Sequence, residues 1–242
     1  MILIFGDSHV GVMGSSYQPR NDEPPITFEA VNGVNWARVK ATETENGVRA
    51  EADFLTSRAL DLEVTKEQVL VFSSLLHSSP YIRDKTWQTH CPWPFRDLLR
   101  SHQPVSEASI TAWIDRLSAK RLAFIDKVRA KGMELYMCEP PKPAAHTPRV
   151  LGYPAQMVRW IDQLSRDHVT AALTKRGVRI INVPAETHKN GFTIKEYYRD
   201  TTHGSETFGN LMVQTIIDRL RKDGQIPYMG PIGAPAKEMK YA

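Results

Sequence analysis

The sequence predicts an α/β fold: a three-layer α/β/α sandwich around a central five-stranded parallel sheet. Three observations carry the prediction. Five short apolar runs, at 1–5, 26–31, 69–74, 133–138 and 178–183, have the length and near-continuous hydrophobicity of strands buried on both faces. Segments with apolar residues at helical spacing lie between or after them. Strands and helices therefore alternate along the chain, which implies a parallel sheet covered by helices.

Each element has its own justification. MILIF opens the chain as a strand, turns at Gly6-Asp7-Ser8, and leads into a helix over 8–16. Asn21–Pro25 is a loop by composition. ITFEAV is the second strand, closed by Asn32-Gly33. Residues 34–66 show no clear period. VLVFSS is the third strand. A Trp-, Pro- and His-rich stretch follows from Leu75 to Pro104, and long irregular stretches in compact domains tend to be functional. Ile110, Trp113, Ile114, Leu117, Phe124, Ile125 and Val128 define a helix over 107–131, with Gly132 where a C-terminal cap belongs. MELYMC is the fourth strand, and proline keeps EPPKPAAHTPR irregular. A helix over 153–176 stops at Gly177, and VRIINV is the fifth strand. The last helix, 205–222, turns Phe208, Leu211, Met212, Ile216 and Leu220 inward and ends before Gly224. One domain thus spans 1–224. The Gly/Pro-rich remainder, 225–242, reads as an arm that packs on this subunit or on another, a route to a homo-oligomer.

Composition narrows the function. The chain has 242 residues, 41% hydrophobic and 24% charged, enough for a core that needs neither disulfides nor metal. A predominantly disordered chain or a coiled-coil rod is excluded. A net charge of +4 does not by itself imply a nucleic-acid partner, and none is expected. The basic run Lys120-Arg121 to Lys131 reads as the solvated face of an amphipathic helix. No apolar run reaches the ~20 residues of a membrane span, and the N-terminus lacks a basic leader. With two cysteines, Cys91 and Cys138, read as free thiols, a cytoplasmic location is expected. Gly11 and Gly14 do not make a phosphate-binding loop. His90-Cys91 with His102 fits no zinc pattern, so no metal and no cofactor are expected.

Two motifs carry chemistry. Gly6-Asp7-Ser8-His9 follows the first strand, where a serine hydroxyl is exposed at the sheet edge and helix-start N–H groups can hold an oxyanion. A turn with a helix cap would explain the same residues. Asp200-Thr201-Thr202-His203 precedes the last helix. Histidine can act as base to a serine, and a carboxylate can fix its tautomer. A capping loop, with Ser205 as the cap, explains that segment equally.

Together the motifs resemble the SGNH (GDSL-type) hydrolase superfamily, in Gly-Asp-Ser after the first strand and Asp-x-x-His near the C-terminus. The resemblance extends over the whole chain in element order and implies a flavodoxin-like sandwich. It implies a catalytic triad of Ser8, Asp200 and His203 acting on an O-acyl ester through an acyl-enzyme. It also implies an oxyanion hole from the N–H of Ser8, a glycine after the second strand, best matched by Gly33, and an asparagine after the third. That asparagine is missing: Ser73-Ser74-Leu75-Leu76-His77-Ser78 stands there. Leu75 falls at its site, and His77 matches a histidine found two positions later in a related branch. His77 is therefore the candidate third donor, with Asp7 and His9 beside the nucleophile. Glu139-Pro140-Pro141-Lys142-Pro143 resembles a proline-rich pocket wall. Trp87 and Trp93 are candidate stacking residues for an acyl or sugar group. An acylated carbohydrate is the first substrate suggested, by superfamily analogy alone. The alternatives are an O-acyltransferase using the same triad, and a non-catalytic binding module whose oxyanion hole has decayed.

Overall fold

A computed structural model describes residues 1–20, 23–31, 33–52 and 60–227. In chain order the strands and helices are β1 (Ile2–Gly6), α1 (Ser8–Ser16), β2 (Ile26–Ala30), α2 (Gly33–Trp36), β3 (Lys40–Glu43), β4 (Gly47–Ala52), β5 (Leu60–Thr65), β6 (Val69–Ser73), α3 (Ser79–Ile82), β7 (His90–Pro92), β8 (Gln103–Val105), α4 (Glu107–Ala130), β9 (Leu135–Cys138), α5 (Thr147–Leu151), α6 (Ala155–Thr174), β10 (Arg179–Ile181), β11 (His188–Lys189), β12 (Phe192–Thr193) and α7 (Glu206–Lys222).

The central sheet has five parallel strands in the order β2-β1-β6-β9-β10. The five apolar runs are these strands. Strand order reverses between β1 and β6, and in open α/β sheets ligands bind beyond the carboxyl ends at such a switch. Side chains alternate across the sheet. Leu3 and Phe5 enter one core with Leu70, Phe72, Leu135 and Met137, beneath α4 and α6. Ile2 and Ile4 enter the other with Val71, Tyr136 and Ile181, beneath α1 and α7. The first core holds a ring cluster: Phe5 and Phe72 stack at 4.9 Å, with Trp36 4.7 Å from Phe72.

The ambiguous stretch 34–66 contains α2 and an antiparallel sheet in the order β3-β4-β5, whose Val48, Ala50 and Val64 extend the first core. Its strands are rich in Ala, Glu and Arg, and β4 reads buried-buried-exposed-buried at its start, so no clean two-residue period announces it. The segment from Leu75 to Pro104 is more regular than its composition implies, with α3 and a short parallel pair, β7 and β8. At the C-terminus Ile226 is buried in the second core, so the packed chain continues past Gly224. The rest of the expected arm, 228–242, lies outside the described residues. Both cysteines are free and buried. Among the described residues no helix is long and apolar enough to cross a membrane.

Candidate active site

Gly6, Asp7 and Ser8 form a tight junction between β1 and α1. Gly6 has φ +150°, and a Cβ there would lie 1.9 Å from the Ser73 carbonyl oxygen, so only glycine lets β1 and β6 approach so closely. The Asp7 N–H donates to that carbonyl at 2.9 Å. The Asp7 carboxylate caps α1 by accepting the His9 N–H at 3.1 Å. Ser8 is consequently the first helical residue, exposed at the carboxyl end of β1.

The second half comes from the loop before α7. His203 Nε2 lies 2.9 Å from Ser8 Oγ. Its Nδ1 lies 2.9 and 3.1 Å from the two Asp200 oxygens. Asp200 Oδ1 also accepts the N–H groups of Thr202, at 2.7 Å, and His203, at 2.8 Å. Burial works to raise the Asp200 carboxyl, but the His203 N–H, the His203 ring and the Thr202 N–H outweigh it and hold the pKa at about 2. A fully ionised Asp200 favours the tautomer with the proton on Nδ1, leaving Nε2 as acceptor for the Ser8 hydroxyl. Ser205 does cap α7, accepting the Phe208 N–H at 3.3 Å, so capping and the Asp200–His203 contact coexist in one loop. The helices behind the two halves touch closely. A Cβ on Gly209 of α7 would meet Ser16 Oγ at 2.3 Å and the Val12 carbonyl oxygen of α1 at 2.9 Å.

Ser8 opens into a cavity of about 370 Å³ whose lining includes Asp7, Gly33, His77, Leu117 and Arg121. Gly33 opens α2, and its neighbour Asn32 lies outside the described residues. Leu75 is only 2% exposed and belongs to the first core, so the position expected to carry an asparagine supplies no side-chain donor. His77 is half-buried at the cavity wall, with its ring edge-on to His9 at 4.7 Å; His9 in turn lies 5.5 Å from the His203 ring. Burial, then the neighbouring positive groups, lowers His9 to about 3 and His77 well below the ordinary histidine range. Both are neutral at pH 7, and a neutral imidazole keeps one N–H to donate. Burial raises Asp7 to about 6 against the pull of the His9 N–H, Arg121 and His203. The ligating atoms of Asp7, His9 and His77 lie within 4.8 Å of one another, so these residues would hold a metal ion if one bound.

Arg121 corrects the expectation of a solvated basic face. It is 9% exposed and faces the sheet, donating from Nη1 to the Ser74 carbonyl at 2.8 Å and from Nη2 to the Leu117 carbonyl at 2.9 Å. A buried guanidinium thus lines the Ser8 cavity. The aromatic candidates are corrected too. Trp87 is 1% exposed, bonds the Tyr81 carbonyl through Nε1 at 2.6 Å, and packs in the first core, where no ligand reaches its ring. Trp93 is 53% exposed, but Arg96 stands 4.7 Å over its ring and it is not part of the Ser8 cavity lining. Pro140 sits behind His9, in a small separate void with Cys138 and Phe208. The wall of a cleft beside His77 is formed instead by Pro141 and Pro143.

The sequence reading missed a buried ionic network. Arg166 donates to Asp162 Oδ1 at 2.9 Å and to the carbonyls of Pro140 and Pro141 at 3.3 and 2.8 Å. Asp162 also accepts the Ser78 hydroxyl, next to His77. The available signal was two charges on the inward stripe of α6, between Val158, Ile161 and Val169.

No protein-family model and no curated protein matches this chain. Solved structures do resemble it. The native aryl esterase of M. smegmatis is 12% identical over 91% of this chain and 98% of its own, with a TM-score of 0.42. A member of the lipolytic protein G-D-S-L family from Veillonella parvula is 10% identical over 90% and 96%, TM-score 0.42. A carbohydrate acetylesterase family member from Sinorhizobium meliloti is 12% identical over 93% and 100%, TM-score 0.42. These are likenesses of backbone path.

Proposed function

We propose that the protein is a serine ester hydrolase acting through an acyl-enzyme. One observation carries the reading: Ser8, His203 and Asp200 form a continuous hydrogen-bonded line, with each contact at 2.9 Å. A serine hydroxyl is a weak nucleophile until a base takes its proton, and this line supplies the base and the group that orients it.

In the proposed mechanism Ser8 Oγ attacks the ester carbonyl while its proton passes to His203 Nε2. Asp200 stabilises the imidazolium. The carbonyl oxygen becomes an oxyanion facing the N–H groups of Ser8 and Gly33 and the imidazole N–H of His77. The buried charge of Arg121, in the same cavity, favours that negative charge where an asparagine is missing. Collapse breaks the ester C–O bond, and His203 returns its proton to the leaving alcohol. Water then attacks the acyl-enzyme with His203 as base, releasing the acid and restoring Ser8. The exposure of Ser8 supports water as acceptor over a second alcohol. An intact hydrogen-bonded line weighs against a decayed binding module. A small acyl group on a carbohydrate is the proposed substrate class.

The test is labelling with a fluorophosphonate, which reacts with activated serines whatever their substrate. Wild type should label and Ser8→Ala, folded by circular dichroism, should not. A folded wild type that fails to label, or a variant that labels equally, overturns the proposal.

A further inference from the structure

A second cleft adjoins the Ser8 cavity, with His77 in the wall of both. It is narrow: its enclosed part has room for about one water molecule, and the rest is open to solvent, where a ligand group would enter. Its polar lining is cationic and donor-rich, with Arg83, Lys142, Thr147, Thr201 and Thr202.

Two details point to an anion. Arg83 Nη1 donates to two hydroxyls, Thr201 Oγ1 at 2.8 Å and Thr202 Oγ1 at 3.0 Å, which leaves much of its donor fork for a ligand. Lys142 Nζ stands 3.9 Å from Asp162, whose carboxylate is already engaged by Arg166 and Ser78.

The position says which part of a substrate is recognised. Thr201 and Thr202 immediately precede His203, whose Nε2 hands its proton to the leaving oxygen in the mechanism above. The alcohol therefore departs on the side of this cleft. We infer that the cleft of Arg83 and Lys142 binds a carboxylate or phosphate carried by the alcohol portion of the ester, making the enzyme selective for anionic esters. The inference rests on Ser8 being the nucleophile.

The experiment compares acetyl esters of short hydroxy acids, with the carboxylate two to five bonds from the ester oxygen, against their uncharged carboxamides and the matching phosphate monoesters. For wild type, the best acid or phosphate should exceed its neutral counterpart at least tenfold in kcat/KM, mainly through KM. In the double variant Arg83→Gln/Lys142→Gln the anion-to-neutral ratio should fall to within about twofold of one. Whichever anion series shows the preference identifies the group. Ser8-dependent turnover with no anion preference in either series overturns the inference and leaves the hydrolase reading standing. If no ester turns over and no label attaches, the hydrolase reading fails first. Calorimetry with inorganic phosphate and with acetate on Ser8→Ala protein then decides the site separately: binding lost in the double variant upholds it, and no binding of either ion overturns it.

Discussion

Replacing Asp7 by asparagine should make this protein more stable at neutral pH. Asp7 is buried, and burial raises its carboxyl from 3.8 to about 6. Between those values the folded chain holds a proton that the unfolded chain has released. Stability attributable to Asp7 is therefore greatest below about pH 4, declines as pH rises, and reaches its minimum above pH 6. At 1.36 kcal/mol per tenfold change in proton affinity, a rise from 3.8 to about 6 puts the neutral-pH penalty on the order of 3 kcal/mol. Asparagine removes the ionisation while its amide oxygen still accepts the His9 N–H, so the cap of α1 survives. For a chain of this size, about 3 kcal/mol corresponds to a rise in Tm of roughly 6–12 °C. His9 acts in the opposite sense: its pKa of about 3 in the fold means that stability is lost as pH falls below 6.5. The informative quantity is thus the difference between Asp7→Asn and wild type, in which the His9 contribution cancels. Urea unfolding at pH 7.5 and at pH 4 measures it. A gain at pH 7.5 that shrinks toward zero at pH 4 is expected. A variant no more stable than wild type at pH 7.5, or a gain independent of pH, would refute the assignment of a buried, charge-penalised Asp7.

Two further outcomes follow from the same site. Gly6→Ala should cost about 3 kcal/mol, the upper end for an overpacked core, because its Cβ would overlap the Ser73 carbonyl; a Tm within 2 °C of wild type by calorimetry would show that β1 and β6 are not so tightly apposed. His77→Ala should lower kcat on an activated acetate ester about 100-fold, the loss of one oxyanion donor, with KM changed less than threefold; a change confined to KM would assign His77 to substrate binding instead.

Much of the architecture was legible because burial on both faces leaves an unmistakable mark. Ile2 to Phe5 and Leu70 to Phe72 must be apolar without interruption, since successive residues face different cores. The smaller sheet of β3, β4 and β5 left no such mark. Only part of each strand is buried, and short residues such as Ala50 fill the contact. At the site, the juxtaposition of Ser8 with Asp200 and His203 was readable because each motif sits at an element junction of fixed geometry. Burial depth was not readable. Trp87 looked like a ligand platform and is core; Arg121 looked like surface and lines the cavity, because its three-dimensional neighbours Ser74 and Leu117 turn carbonyl oxygens toward it. Asp162 and Arg166 escaped notice because one charge on a helix face is ordinary and only their pairing with Ser78 and the proline carbonyls gives them meaning.

The close seat of Gly209 against Ser16 and Val12 has a consequence for when the protein becomes competent. Ser8 and His203 are 195 residues apart, and each is held at the start of one of the two helices that meet there. Ser8 is therefore made 195 residues before His203, the base proposed for it. On the proposed mechanism Ser8 is an ordinary alcohol until α7 has left the exit tunnel and docked on α1. Reactivity at Ser8 is then a covalent timestamp for the docking of α7 on α1.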